Sequence, residues 1–188
     1  NVAEGRLELV TEEVESEHLD AIERSHDRMT ALIDDLLTLA QQGQAVADVE
    51  PVRLESVAKE SWKNVDTNDA TLAVETAAVV RADESRFRQL LENLFRNAVE
   101  HGGIDVTVTV GDLGGDGFFV EDDGRGIPTD DRERVFESGF STSDAGTGFG
   151  LPIVRQIAEA HGWRVSAADG EDGGARFAIT GVDEIIDP

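Results

Sequence analysis

Cysteine is absent from the 188 residues. That excludes disulfides and thiolate metal sites. No apolar run approaches the roughly 20 residues needed to cross a bilayer. The opening NVAEGRLELV lacks the basic start and long apolar stretch of a signal peptide. Lysine is nearly missing, with Lys59 and Lys63 alone. No basic stripe exists to meet phosphates, so nucleic acid is excluded as a partner. The expectation is a cytoplasmic chain that makes no membrane contact of its own. Anchoring of a longer parent protein in a membrane stays open.

What fills the surface instead is carboxylate. Forty Asp and Glu stand against 16 Lys and Arg, for a formal charge of −24. Such a surface repels itself and destabilises the compact state in dilute buffer. At molar salt the Debye length falls to about 3 Å and that repulsion is screened. The composition therefore points to a halophile with a salty cytoplasm, against the plainer reading of an acidic mesophilic protein.

The length allows one good core. In the first part of the chain, Leu19, Ile22, His26, Met29, Ile33, Leu36 and Ala40 recur at alternating spacings of 3 and 4. That is an a/d seam of the kind that packs helices side by side. Residues 1–43 are expected to form a helical hairpin, which needs a partner to be stable. QQGQAVADVEPV (Gln41–Val52) reads as a linker, with Gly43 ending the helix. Helices are expected over 54–65, 84–100 and 152–161, with Asp83 as N-cap of the second. Strands are expected over 71–74, 79–81, 104–110, 118–121, 164–168 and 175–179, the third by strict alternation. This order predicts an α+β layer, one sheet with helices on one face.

The densest chemistry lies between Gln89 and Leu151. On the second helix Phe87, Leu90, Leu91, Leu94, Phe95 and Ala98 make one apolar face. At about 100° per residue, Asn93, Asn97 and His101 fall on a stripe beside it. An asparagine oxygen is a neutral, hard ligand suited to Mg²⁺, which takes few protein ligands plus waters and phosphate oxygens. VEDDGRGIP (Val120–Pro128) sets Asp122 at a strand end, before glycines that let the backbone pass close to a ligand. GTGFGL (Gly146–Leu151) presents successive backbone amides and opens a helix whose N-terminus favours anions. Singly, these read as water-satisfied asparagines, an acidic turn and a flexible glycine loop. Their order decides for one site, with 25 residues from Asn97 to Asp122 and 24 from there to Gly146.

ENLFRNAVEH (Glu92–His101), VEDDGRGIP and GTGFGL together resemble the ATP-binding domain of sensor histidine kinases. The wider superfamily holds gyrase, heat-shock chaperone and mismatch-repair ATPases. The resemblance runs from Val49 to Ile179, and ERVFESGFSTS (Glu133–Ser143) adds a lid segment through Phe136 and Phe140, whose plain role is packing. It implies a Bergerat-type ATP-binding fold, a two-layer α/β sandwich preceded by an α-helical hairpin. The implied division is a partial dimerisation and phosphotransfer hairpin at 1–43, a linker at 44–52 and an ATP-binding catalytic domain at 53–188. The implied cofactors are ATP and Mg²⁺, with Asn97 on the metal, Asn93 near the phosphates and Asp122 accepting from the adenine amino group. The implied nucleotide set is Asn93, Asn97, His101, Asp122, Gly124, Gly126, Ile127, Gly146, Thr147, Gly148, Gly150 and Leu151. The implied partners are a response-regulator receiver domain and a second copy through the hairpin.

Two departures matter. No lysine follows the second asparagine to hold phosphates, which leaves Arg96 and Arg86 as weak substitutes. None of His18, His26, His101 and His161 sits in the family's phosphoacceptor pattern, so the expectation is a piece that begins just downstream of that histidine and carries no catalytic residue itself. Asn93 stands where the superfamily's ATPases place a glutamate base, and an amide cannot take a proton from water. That favours transfer of the γ-phosphoryl group to histidine, for relay to a regulator. The alternatives are a non-catalytic nucleotide-sensing dimeric module, or an ATPase or serine kinase of the same superfamily.

Overall fold

The computed structural model describes residues 22, 29, 49–67, 69–103, 105–141 and 147–182. The expected hairpin over 1–43 lies outside these, apart from Ile22 and Met29, which are helical and exposed.

The elements run β1 (Glu50–Arg53), α1 (Leu54–Trp62), β2 (Thr71–Val74), β3 (Val79–Ala82), α2 (Glu84–Gly102), β4 (Thr107–Asp112) and β5 (Gly117–Asp122). Two short 3-10 turns follow at Thr129–Asp131 and Arg134–Phe136, then α3 (Gly150–Ala160), β6 (Arg164–Asp169) and β7 (Ala175–Thr180). The main sheet has five strands in the order β2-β4-β5-β7-β6. Its first pair, β2 with β4, is parallel and the other pairs are antiparallel. The fold is the expected α+β sandwich, with mixed rather than wholly antiparallel pairing.

Strand alternation shows where the core sits. Val108, Val110, Phe118, Val120, Phe177 and Ile179 are buried toward the helices. Thr109, Glu121, Arg176 and Ala178, the alternate positions, are half-buried on the other face. Under the sheet, α2 presents Phe87, Leu90, Leu91, Leu94, Phe95 and Ala98, all buried, as its spacing predicts. Phe87 meets Phe118 and Trp163 edge-on, at centroid distances of 5.4 and 5.9 Å. Burying each such ring contributes about 2–3 kcal/mol.

Three boundaries differ from the sequence expectation. The tail of the expected linker is a strand, since Glu50–Arg53 pairs antiparallel with β3 in a separate two-stranded sheet. Val52 in that strand is buried, and Pro51 is tolerated because a two-stranded ribbon leaves one side of each strand unpaired. Helix α1 stops at Trp62 rather than at 65, because the amides of Lys63, Asn64 and Val65 turn back three residues, to Glu60, Ser61 and Trp62. That is the tighter 3-10 geometry common at helix ends. Strand β4 begins at Thr107 rather than 104. The β4–β5 hairpin is also tighter than expected, since β4 runs to Asp112 and β5 starts at Gly117.

Asp83 caps α2 as expected, its Oδ1 accepting from the Arg86 amide at 3.2 Å. The cap matters because α2 carries the site along one edge.

Candidate functional site

Asn93 is buried to 6% exposure. Its Nδ2 donates to the Gln89 carbonyl one turn back, at 2.9 Å, which fixes the amide with its oxygen turned outward. That oxygen lies 3.4 Å from where a Cβ on Gly150 would sit. The first residue of α3 therefore abuts Asn93, and a side chain larger than glycine would crowd it. Asn97 and His101 follow at one-turn intervals, both half-buried.

At the far end of α2, Gly102 meets the turn after β5. A Cβ on Gly124 would come within 2.3 Å of the Gly102 Cα, so only glycine fits there. From Asn93 to Gly102 the helix rises about 13 Å. One edge of α2 thus joins the glycine-rich entry of α3 to the aspartate turn, over a span that suits an extended nucleotide.

Asp122 sits at the end of β5 and is 5% exposed. Its Oδ1 accepts from the amides of Gly124 at 3.0 Å and Ala175 at 3.3 Å. Burial pushes its carboxyl pKa upward, the two amide bonds oppose that shift, and neighbouring Asp123 and Glu121 reinforce it. Because Oδ1 takes both amides, Oδ2 is the oxygen left to meet a ligand donor. Gly126 follows with φ of 71°, and Ile127 packs against the core.

In the glycine loop, Gly148 has φ of 73° and its carbonyl accepts from the Gly139 amide at 2.9 Å. Thr147 is half-buried, its Oγ1 accepts from the Phe149 amide, and Leu151 is buried. Gly146 lies outside the described residues. Phe136 and Phe140 act by packing, as expected. Phe136 meets Phe177 edge-on with the Arg155 guanidinium above it, and Phe140 lies under Arg134.

The structure also places the two arginine substitutes. Arg96 is exposed. Arg86 lies in the first turn of α2, beside His161. That is about 10 Å of helix rise before Asn93, so it is no candidate for phosphates held near Asn97.

The β6–β7 hairpin was not foreseen as part of the site. A Cβ on Gly174 would fall 1.9 Å from the Asp122 carbonyl oxygen, and Gly174 has φ of 66°. Next to it Arg176 pairs with Glu121, the residue before Asp122, and the Glu171 amide donates to the same carboxylate. Gly173-Gly174 marks a tight turn in sequence. Nothing local says that the turn closes on a carboxylate 53 residues away.

Among the described residues, no group of three His, Cys, Asp or Glu is arranged to hold a metal, and no helix is long and apolar enough to cross a membrane. A cation here would find the Asn97 amide oxygen and ligand oxygens. That donor set suits Mg²⁺ rather than a metal needing a full protein cage.

A family model described as "Histidine kinase-, DNA gyrase B-, and HSP90-like ATPase" matches residues 82–183. The sensor histidine kinase ZraS of Escherichia coli O157:H7 is 33% identical over 164 residues, covering 81% of this chain and 35% of its own length. Full-length ShkA, solved in complex with AMPPNP, superposes with a TM-score of 0.65 at 30% identity, covering 86% of this chain and 37% of that one. The histidine kinase AdeS of Acinetobacter baumannii shares the fold, with a TM-score of 0.69 at 21% identity over 97% of this chain and 94% of its own. The chain spans little more than a third of the length of the curated relatives it matches. It belongs to the histidine kinase-, DNA gyrase B- and HSP90-like ATPase family, as the ATP-binding catalytic portion of a histidine kinase.

Proposed function

We propose that the edge of α2 holds Mg-ATP, with adenine at Asp122 and phosphates at Asn93 and the loop 146–150. The observation that carries this is the convergence of Gly150 on Asn93 and Gly124 on Gly102, which lines the three motifs along one helix. Asp122 Oδ2 accepts from the adenine amino group. Gly124, Gly126 and Ile127 form the floor under the base. Asn97 and His101 face the phosphate end, and Asn97 Oδ1 ligates Mg²⁺. Gly146, Thr147, Gly148, Gly150 and Leu151 surround the phosphates with backbone amides at the α3 N-terminus. The solved complex of ShkA with AMPPNP supports a nucleotide at this site.

When bound, Mg²⁺ neutralises charge on the transferring phosphoryl group. The chain's own residues bind, orient and exclude water. Asn93 offers an amide where a base would be needed to activate water, so the site favours transfer over hydrolysis. The acceptor in this reading is a histidine of the complete protein, upstream of Asn1, with onward transfer to a response-regulator receiver domain. The complete protein pairs with a second copy through the helical hairpin, and the site faces the cytoplasm. The −24 charge supports a haloarchaeal source.

The test mixes this chain with a partner that carries the phosphoacceptor histidine but a disabled nucleotide site, in the presence of γ-labelled ATP. Acid-labile label on the partner is expected. Nucleotide binding without any label on the partner would favour a nucleotide-sensing module instead.

A further inference from the structure

Arg132 lies just past the first 3-10 turn and touches two segments that sequence keeps apart. Its Nε donates to the Ile127 carbonyl at 3.3 Å. Its terminal nitrogen pairs with Asp169 Oδ1, at the end of β6. Ile127 closes the aspartate–glycine turn. Asp169 opens the hairpin whose Ala175 amide bonds Asp122. The guanidinium therefore ties both walls around Asp122 together. A second tie, Glu121 to Arg176, links the same two segments on the outer face of the sheet.

We infer that Arg132 is a positioning residue for base recognition, acting through the Ile127 carbonyl and Asp169 to hold the Asp122 turn at the geometry adenine needs. This rests on the nucleotide reading above. Arginine suits the task because its planar fork binds a carbonyl and a carboxylate at once, which a lysine ammonium on a flexible stem does not do. Only 23% of the Arg132 side chain is exposed, so the pair is screened less than a surface ion pair. Loss of a preorganising contact shows in ligand affinity, since the ligand must then order the turn itself.

The test measures binding of Mg-ATP and of Mg-tripolyphosphate, which has no base, by calorimetry with the unsubstituted chain, R132M, R132K and D169N. The ratio of the two affinities reports the base alone. R132M is expected to lower that ratio about tenfold and D169N by a few-fold, with R132K between them. Tripolyphosphate affinity should change only through net charge. D169N is decisive, because it removes a negative charge. Long-range electrostatics would tighten both ligands, whereas loss of the tie weakens ATP relative to tripolyphosphate. Asp169 is 72% exposed on its side chain, so D169N remains informative if R132M fails to fold. A base preference in the unsubstituted chain that survives in both R132M and D169N would overturn the inference alone. Equal binding of the two ligands by the unsubstituted chain would overturn the nucleotide reading and the inference with it.

Discussion

His161 Nε2 accepts a hydrogen bond from the backbone amide of Asp83 at 3.1 Å, across 78 residues of chain. The opposite ring nitrogen, Nδ1, lies 2.8 Å from the Ile157 carbonyl, so the neutral ring donates there and accepts from Asp83. The ring stacks on Trp163 at 4.4 Å between centroids. One imidazole thus joins the C-terminal end of α3 to the N-cap of α2, the helix that carries the site.

Protonation would put a hydrogen on Nε2, facing the Asp83 amide. Burial lowers the His161 pKa below its ordinary value, against opposing contributions from the Ile157 carbonyl and Asp83. A histidine with a depressed folded pKa binds more protons when unfolded. Its stabilisation is therefore complete above the unfolded value of about 6.5 and declines as pH falls from there toward the folded value. His161→Ala should cost about 1–3 kcal/mol at neutral pH, because the Asp83 amide loses its acceptor. The difference in melting temperature between the two proteins should shrink as pH drops below about 6.5. A difference that does not change with pH would contradict the neutral-acceptor assignment.

Gly174 and Gly173 adjoin in one turn but are under different constraints. At Gly174 an added Cβ would meet the Asp122 carbonyl, whereas at Gly173, with φ of 98°, it would meet nothing within 4 Å. Gly173→Ala should cost only the strain of a left-handed backbone, about 1–2 kcal/mol. Gly174→Ala should cost more and also weaken nucleotide binding, because the hairpin must move off Asp122. Titration calorimetry and melting of both variants compare them. Equal loss of affinity in the two would count against the hairpin as a wall of the site.

Charge sets a third expectation. The −24 total repels itself, and several ion pairs, such as Lys59 with Glu55, are exposed on both sides. Exposed pairs contribute about 0–1 kcal/mol each, so they do not offset repulsion of this size. Raising KCl from dilute to multimolar should therefore lift the melting temperature, by about 5–10 °C for a few kcal/mol of screened repulsion. A flat profile across that range would remove the argument for a salt-adapted protein.

How much of this was visible in the sequence depends on distance along the chain. The α2 core face, the Asp83 cap and the Asn93–Asn97–His101 stripe are local patterns, and each formed where spacing placed it. Strand β1 was hidden because Pro51 reads as a break, and its partner Arg81 lies 30 residues on. The clasp of Ala175 on Asp122 and the tie from Arg132 to Asp169 were hidden for the same reason. Both depend on hairpin placement that no local signal fixes. Arg86 shows the converse error, since proximity in sequence to the asparagines hid its place at the wrong end of α2.

The central claim is that Asp122 reads adenine at the end of a Mg-nucleotide site. Burial raises the Asp122 pKa. A carboxyl raised in this way destabilises the empty fold above its folded pKa, and the penalty is relieved as pH falls. Asp122→Asn keeps an acceptor for the Gly124 and Ala175 amides but loses the charge. At neutral pH the variant without nucleotide should melt no lower than the parent. The direct measurement is calorimetric titration of Mg-ATP and Mg-GTP into the parent chain and Asp122→Asn. The account predicts that the parent prefers ATP by at least about tenfold, and that the variant loses the preference while staying folded. Equal affinity of the parent for both nucleotides, or an unchanged preference in Asp122→Asn, would contradict it.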